Sequence, residues 1–233
     1  MNLIALETST EACSVAVLHG GALIERFEIA PRRHAELTLP WAEALLAEAG
    51  LARRDLNLVA VGRGPGAFTG VRLGVSLAQG MALALDIPAI AISTLAALAM
   101  RAKADEGERI LAAIDARMGE VYWATFEVRD GVPHPLSEEL VGPPESVQIN
   151  GNSWHGVGTG FAAQGGALAH RLSDQLMQVD AEALPHAADI ATLAVAAHAR
   201  GESVAPERLE PAYLRNQVAL TLAEQQALRD SRR

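Results

Sequence analysis

The chain has 233 residues, half of them apolar and 20% charged, a composition that buries a large core and excludes a disordered protein. Its net charge is −9, with eighteen arginines and one lysine, Lys103. Because nucleic-acid binding depends mainly on basic residues, the chain is a poor lone binder unless an arginine patch or a basic partner compensates. A single cysteine, Cys13, excludes an intrachain disulfide and argues against a thiolate metal cluster.

Export and membrane insertion are not predicted. The N-terminal MNLIALE has no basic segment and reaches an acid at Glu7, which argues against a signal peptide. The longest apolar stretch, from Gly70 to Leu85, reads as too short and too polar to span a bilayer. We therefore expect a soluble cytoplasmic protein that contacts no membrane.

The first half of the chain alternates strand and helix patterns. LIAL, SVAVL and ALIERFEI predict a three-stranded meander, with ETSTEA joining the first two strands. Residues 34–49 carry apolar positions at helical spacing, and NLVAVG predicts the next strand. A helix over 70–85, the strand IPAIAI and the helix STLAALAMRAKA follow. The predicted order up to Ala104 is βββαβαβα.

The second half repeats this theme after the polar break ADEGER. ILAAIDA and GEVYWATFEV predict a hairpin, and a loop with four prolines follows. SWHGVG predicts a strand that leads through a glycine turn into FAAQGGALAHRL, and HAADIATLAVAAHARG predicts a further helix. The pattern predicts an α/β fold with lobes at 1–105 and 106–210, and a tail at 211–233 that packs back on the first lobe.

The segment GRGPGAFTGVRLG, which begins at Gly62, raises the question of a phosphate-binding turn. It lacks the lysine of a Walker A motif. It also lacks the acid that a dinucleotide fold places after the next strand, where Ser93 and Thr94 stand. The alternative is a helix start in which Thr69 is the N-cap and Phe68 packs on Leu73. Arg72 would then oppose the helix dipole, so we expect it to meet an acid or anion from this chain, a ligand or a partner.

The helix that follows is apolar nearly all round. Between Val71 and Leu85 only Arg72, Ser76 and Gln79 are polar, and Gly70, Gly74 and Ala78 form a stripe of small residues. A helix on one face of a sheet needs a much narrower apolar stripe, so this helix and the one at 34–49 must be buried on two sides. They pack on each other, or they also form a subunit interface, which we favour. The predicted interface residues are Leu37, Trp41, Leu45, Arg72, Leu73, Ser76, Leu77, Ala78, Gly80 and Met81.

Catalytic chemistry finds little support in the sequence. The turn at Glu7, Thr8, Ser9 and Thr10 offers the only candidates for binding phosphate and magnesium, and GVGTGFAA is either a second nucleotide turn or a strand-to-helix connector. The seven histidines never fall at HxxxH spacing and there is no GxSxG elbow. We predict no catalytic residue, no metal ligand and no tightly bound cofactor. A nucleotide-dependent phosphotransferase is the alternative, and a peptidase the third possibility.

Four segments together resemble the bacterial TsaB family, also called YeaZ: ETSTEACSVAV, GRGPGAFTGVRLG, IDARMGEVYWA and PAYLRNQVA. The resemblance implies the two-lobed actin/Hsp70/sugar-kinase fold. It further implies a non-catalytic subunit that supports the paralogue TsaD in forming N6-threonylcarbamoyladenosine beside the anticodon of tRNAs that read codons beginning with A.

The resemblance also implies the partners. These are TsaD as a heterodimer, TsaE within the complex, a second copy of the chain when alone, and tRNA only through the complex. ATP and magnesium would act only within that complex. Glu7 stands where the family usually has Asp, and its extra methylene disfavours an independent magnesium–nucleotide site.

Overall fold

A computed structural model describes residues 1–215 of the chain. The predicted order of the first half is confirmed. Its elements are β1 (Leu3–Glu7), β2 (Ala12–His19), β3 (Ala22–Ile29), α1 (His34–Glu48), β4 (Leu58–Gly62), α2 (Phe68–Leu85), β5 (Ala89–Ile92) and α3 (Thr94–Ala99).

The first sheet has the strand order β3-β2-β1-β4-β5. The meander β1-β2-β3 is antiparallel, whereas β4 and β5 run parallel to β1. Side chains alternate between the faces, so Ile4 and Leu6 pack under α1 and α2, and Leu3 and Ala5 face the other way. Because both faces are covered, all five residues of β1 are buried.

The second sheet has the order β11-β10-β6-β7-β8, and β9 also pairs with β7. The predicted hairpin is confirmed by the antiparallel pairing of β6 and β7. The elements of this half are β6 (Arg109–Arg117), β7 (Glu120–Arg129), β8 (Val132–Pro135), β9 (Leu140–Gly142), β10 (Trp154–Val157), α4 (Ala163–Arg171), β11 (Leu176–Asp180) and α5 (Ala187–Ala199).

Three strands of this sheet were not predicted. β8 and β9 lie in the segment that was predicted as a proline loop. β8 tolerates its prolines because it pairs on one side only, with β7, and an edge strand can do without some N–H donors. β11 is short and mostly exposed, so its sequence has no clear apolar alternation.

The main paths of both sheets share one connectivity once β9, which pairs with β7 off the path, is left out. In each, the third, second, first, fourth and fifth strands then lie side by side, with the first half numbered from β1 and the second from β6. The loose repeat seen in the sequence is therefore a repeat of topology. It supports a two-sheet α/β fold of two similar lobes.

The helix α5 belongs to the first lobe by its packing, although the sequence placed residues 106–210 in the second. Its buried side chains, such as Ile190 and Ala194, pack against Leu3 and Leu58 of the first sheet. The chain then stays on that lobe, where Val204 pairs with Ala89. Periodicity identifies α5 as an apolar helix but does not say which sheet it covers. Of the predicted tail, residues 216–233 lie outside the described part of the chain.

By length and composition alone, α2 is the one helix within residues 1–215 that could cross a membrane. It has 18 residues with a mean hydropathy of 1.3. It is therefore longer and more apolar than the stretch from Gly70 to Leu85 that was predicted to be too short and too polar to span a bilayer. A core helix of a globular protein passes the same test, and α2 packs Val71, Val75, Ala78 and Ala82 into the first lobe. Of its residues 33% are buried, whereas apolar residues such as Phe68 and Leu83 are exposed.

Candidate functional site

The glycine-rich turn before α2 is fastened to the β1–β2 turn. The Ala67 amide donates to the Ser9 carbonyl at 2.7 Å, and the Thr8 hydroxyl donates to the Gly70 carbonyl at 2.7 Å. A Cβ on Gly66 would lie 2.3 Å from the Ser9 carbonyl oxygen, and one on Gly70 would lie 2.0 Å from that of Thr8. These glycines therefore allow two backbone turns to approach closely, which accounts for them without a phosphate.

Glu7 is a buried structural carboxyl. Its Oε1 accepts from the Ser9 amide at 2.6 Å and its Oε2 lies 3.1 Å from the Thr94 hydroxyl, which in turn accepts from the Gly64 amide. Burial raises the pKa of Glu7, while hydrogen bonds from Ser9 and Thr94 act in the opposite direction. The carboxyl thus links the ends of β1 and β4 to the start of α3.

The candidate nucleotide residues do not form one open site. Glu7, Thr8 and Ser9 are fully buried and hydrogen-bonded within the fold. Thr10 is also buried and lies with Ser9 at the wall of a groove between the lobes. A carboxyl that is fully buried, with both oxygens hydrogen-bonded inside the fold, is poorly placed to bind a hydrated magnesium ion. The arrangement therefore does not favour the phosphotransferase alternative.

The second glycine turn also has a structural explanation. Gly158 has a φ of +106°, and a Cβ there would lie 2.4 Å from the Ala113 carbonyl oxygen. The Asp115 amide donates to the Thr159 hydroxyl at 3.1 Å. GVGTGFAA is thus a connector that packs tightly on β6, the simpler of the two interpretations.

The start of α2 differs from the prediction. The helix begins at Phe68, the N-cap position is Ala67, and no side chain caps the helix. The predicted Thr69 cap and Phe68–Leu73 staple are therefore wrong. The backbone contacts with the β1–β2 turn hold the helix start in place of a cap, and the Phe68 side chain is 55% exposed.

Arg72 contacts aromatic rings instead of an acid. Its Nε donates to the Tyr213 hydroxyl at 2.7 Å, and its guanidinium carbon lies 3.7 Å from the centre of the Phe68 ring and 5.3 Å from that of Tyr213. No carboxylate among residues 1–215 comes within ion-pair distance of it, so an acid or anion supplied by a ligand or a partner stays a prediction. Cation–π attraction accounts for the position of the charge.

A groove of about 990 Å³ lies between the lobes. The β1–β2 turn, the glycine-rich turn, the β6–β7 turn and residues 212–215 form its walls. Four arginines line it, Arg32, Arg72, Arg117 and Arg215, and so do the aromatic rings of Phe68, Tyr122 and Tyr213.

The predicted interface residues divide into three groups. Leu37, Leu45 and Ala78 are buried in the core of the first lobe and are not available to a partner in this fold. Gly74 also faces inward, since a Cβ there would meet the Thr8 side chain at 2.6 Å. Four of the predicted residues are half-buried: Trp41, Leu73, Leu77 and Met81. Three are exposed: Arg72, Ser76 and Gly80.

The outward side of α1 and α2 contains further apolar residues that sequence reasoning missed. Leu83 is 62% exposed and Leu39 is 43% exposed. Ser76, Gly80 and Ala84 form an exposed stripe of small residues at a spacing of four. We call this surface the α1/α2 face. It consists of the exposed residues Leu39, Ser76, Gly80, Leu83 and Ala84 and the half-buried residues Trp41, Leu73, Leu77 and Met81. A helix that is apolar all round gives no signal of which side faces the core.

The described residues hold few groups suited to hydrolysis or metal binding. Among residues 1–215 no three His, Cys, Asp or Glu side chains are placed to hold a metal ion. Cys13 is buried beside Thr38, and burial raises the pKa of its thiol, which disfavours the reactive thiolate. His198 contacts Ser203 at 2.7 Å, but this pair joins the last turn of α5 to the segment after it on the exposed surface.

Comparisons with known proteins match one family model and several curated relatives. A family model described as TsaD, tRNA N6-adenosine threonylcarbamoyltransferase, matches residues 27–222. The chain is 43% identical over 227 residues to the tRNA threonylcarbamoyladenosine biosynthesis protein TsaB of Escherichia coli (strain K12), covering 94% of this chain and 96% of that protein. It is 38% identical over 230 residues to TsaB of Haemophilus influenzae, covering 94% and 95%.

Solved structures give the same result. A Pseudomonas aeruginosa protein described as similar to peptidase YeaZ superposes with a TM-score of 0.85 at 46% identity, covering 92% of this chain and 99% of that chain. YeaZ from Pseudomonas aeruginosa superposes with a TM-score of 0.82 at 45% identity, covering 91% and 99%. The chain therefore belongs to the TsaB (YeaZ) family.

Proposed function

We propose that this protein is a non-catalytic scaffolding subunit in the formation of N6-threonylcarbamoyladenosine in tRNA. It acts in the cytoplasm by binding and supporting the catalytic paralogue TsaD, with TsaE joining the complex. The names of its relatives and of the matching family model support this role. The repeated strand order of the two sheets supports the actin/Hsp70/sugar-kinase fold.

The observation that carries the proposal is the apolar α1/α2 face. Large side chains such as Leu39 and Leu83 are exposed on it, although each gains about 1.5–3 kcal/mol when it is fully buried. The small residues Ser76, Gly80 and Ala84 leave room for a second helix to approach α2 closely, because the distance between packed helices depends on the side chains at the contact. Exposed apolar residues gathered on neighbouring helices are typical of a protein–protein interface.

The state of Glu7 supports the non-catalytic part of the proposal. Both of its oxygens are hydrogen-bonded inside the fold and burial raises its pKa, so it is poorly suited to hold magnesium and nucleotide. ATP and magnesium would then act elsewhere in the complex.

Two matched variants test the interface. Ala84 and Ala199 are both exposed alanines near the C-terminal end of an apolar helix, α2 and α5, on opposite faces of the first sheet. We expect Ala84→Glu to lose co-purification with tagged TsaD, because a carboxylate is placed in an apolar contact, whereas Ala199→Glu retains it. Equal capture of TsaD by the two folded variants would contradict the proposed interface.

The same face can hold two copies of the chain together when TsaD is absent. Sedimentation of the isolated protein checks this, because a dimer formed through the α1/α2 face dissociates in Ala84→Glu and persists in Ala199→Glu. A dimer that persists in both variants uses another surface.

A further inference from the structure

We propose that the groove between the lobes binds single-stranded RNA, so that this chain contacts the tRNA itself and not only through its partners. The assignment of the RNA as tRNA rests on the proposed function, whereas the binding of RNA rests on the charge and aromatic content of the groove.

Positive charge is concentrated in the groove although the chain as a whole is acidic. Four arginines line it against two acids, Glu11 and Asp115, while the net charge of the chain is −9. Lysine and arginine that neutralise phosphates supply most of the sequence-independent affinity for nucleic acid. A local excess of arginine on an acidic chain therefore indicates a site for a polyanion at this place and not over the whole surface.

Two of the four arginines have no acidic partner among residues 1–215. Arg32 is exposed and forms no ion pair there, whereas its neighbour Arg33 pairs with Glu28 and Glu36. Arg72 uses its Nε to contact Tyr213, which leaves its two terminal nitrogens without a hydrogen bond in the described chain.

The other two arginines form ion pairs near the surface. Arg117 pairs with Asp115 at 2.8 Å and its side chain is 78% exposed, and Arg215 pairs with Glu120. An exposed pair such as that of Arg117 contributes little to stability, so a phosphate can share its guanidinium group at small cost.

Aromatic rings are also concentrated in the groove. The chain has only two tyrosines, Tyr122 and Tyr213, and both line it together with Phe68. The Phe68 and Tyr213 rings lie 6.4 Å apart at an angle of 41° around the Arg72 guanidinium. Aromatic rings beside arginines are the usual means of binding single strands, because bases that are not paired can stack on them.

The arrangement fits a chain of nucleotides better than one small anion. The four arginines come from four separate segments: the connection before α1, helix α2, the β6–β7 turn and residues 212–215. Charges distributed along a groove of about 990 Å³ can contact successive phosphates, while the apolar walls accept a base.

The test measures binding of a fluorescently labelled tRNA transcript to the full-length chain and to its complex with TsaD. The groove variant is Arg32→Glu with Arg117→Glu. The matched control is Arg54→Glu with Arg208→Glu, which makes the same charge change at two exposed arginines that do not line the groove. Arg72 is left unchanged because it also belongs to the predicted partner interface.

We expect the groove variant to bind about tenfold or more weakly. The slope of log affinity against log salt concentration should fall in magnitude by about 1.4, which is roughly 0.7 for each lost phosphate contact. The control should stay within about twofold of the unmodified chain, because its changes lie outside the groove. Tyr213→Ala should bind at least about fivefold more weakly and Tyr213→Phe should retain binding, because stacking requires the ring and not the hydroxyl.

Equal affinity of the groove variant and its control would overturn the proposal, as would a lack of tRNA binding by both the chain and the complex. Complete displacement of the tRNA by millimolar AMP would also overturn it, because the groove would then hold a free nucleotide. Capture of TsaD is measured for the groove variant, its control and Ala84→Glu. If Ala84→Glu still captures TsaD while the groove variant loses tRNA, the proposed interface fails and the RNA site stands.

Discussion

Replacing Gly70 by alanine tests the role of the glycine-rich turn. The new Cβ would lie 2.0 Å from the Thr8 carbonyl oxygen, about 1.4 Å short of the 3.4 Å at which ordinary contact begins. The obstacle is backbone of a buried turn that is itself tied to Gly70 through the Thr8 hydroxyl, so no side-chain rotation relieves it. Overpacking costs typically about 1–3 kcal/mol, and we expect Gly70→Ala at the upper end of that range.

Gly80→Ala in the same helix is the matched control. A Cβ on Gly80 meets nothing within 4 Å, so this variant gains the helix propensity of alanine, about 1 kcal/mol, at no steric cost. Urea unfolding followed by circular dichroism compares the two free energies of unfolding. If Gly70→Ala is as stable as Gly80→Ala, the close approach of the two turns is not the reason for the glycine.

Three further predictions concern buried polar groups. Thr94→Ala leaves the Gly64 amide and Glu7 Oε2 without their partner and should lower the free energy of unfolding by about 1–3 kcal/mol. Thr94→Ser keeps the hydroxyl and should retain most of the stability of the unmodified protein. Burial raises the pKa of Asp189 to about 6 although Arg101 lies 3.5 Å away, so its ionised form costs stability above that pH. That cost, up to about 3 kcal/mol, is relieved as the pH falls from about 6 towards 3.8. Asp189→Asn should therefore be more stable than the unmodified protein at pH 7 and should lose this pH dependence. Parallel profiles of stability against pH for the two proteins would contradict the assignment. Glu7→Gln should likewise stabilise the protein at pH 7, because burial raises the pKa of Glu7, and a less stable variant in urea unfolding would mean that the ionised carboxylate is required.

The order of the first eight elements was predictable because each carries a clear period. LIAL and SVAVL alternate as buried strands, and the helices have capping or stop signals such as Ser93, whose hydroxyl accepts from the Ala96 amide. The placement of α5 was not predictable. Its apolar residues mark a buried helix, but only the folded chain shows that they cover Leu3 and Leu58 of the first sheet.

The candidate interface was only partly readable from the sequence. The excess of apolar residues in α2 predicted apolar surface beyond what the sheet buries, and Leu83 lies exposed there; that a partner covers this side stays a prediction. The inward stripe of Gly70, Gly74 and Ala78 and the outward stripe of Ser76, Gly80 and Ala84 are alike in sequence, so the sequence could not tell them apart. The contact of Arg72 with Tyr213 joins residues 141 positions apart, a separation at which no local pattern gives a signal.

The most direct measurement of the central claim is amide hydrogen exchange of the full-length chain with and without TsaD. We expect slower exchange in peptides that cover α1 (His34–Glu48) and α2 (Phe68–Leu85), and unchanged exchange in α5 (Ala187–Ala199) on the opposite face of the first sheet. Protection confined to α5 or to the second sheet, with α1 and α2 unchanged, would contradict the central claim.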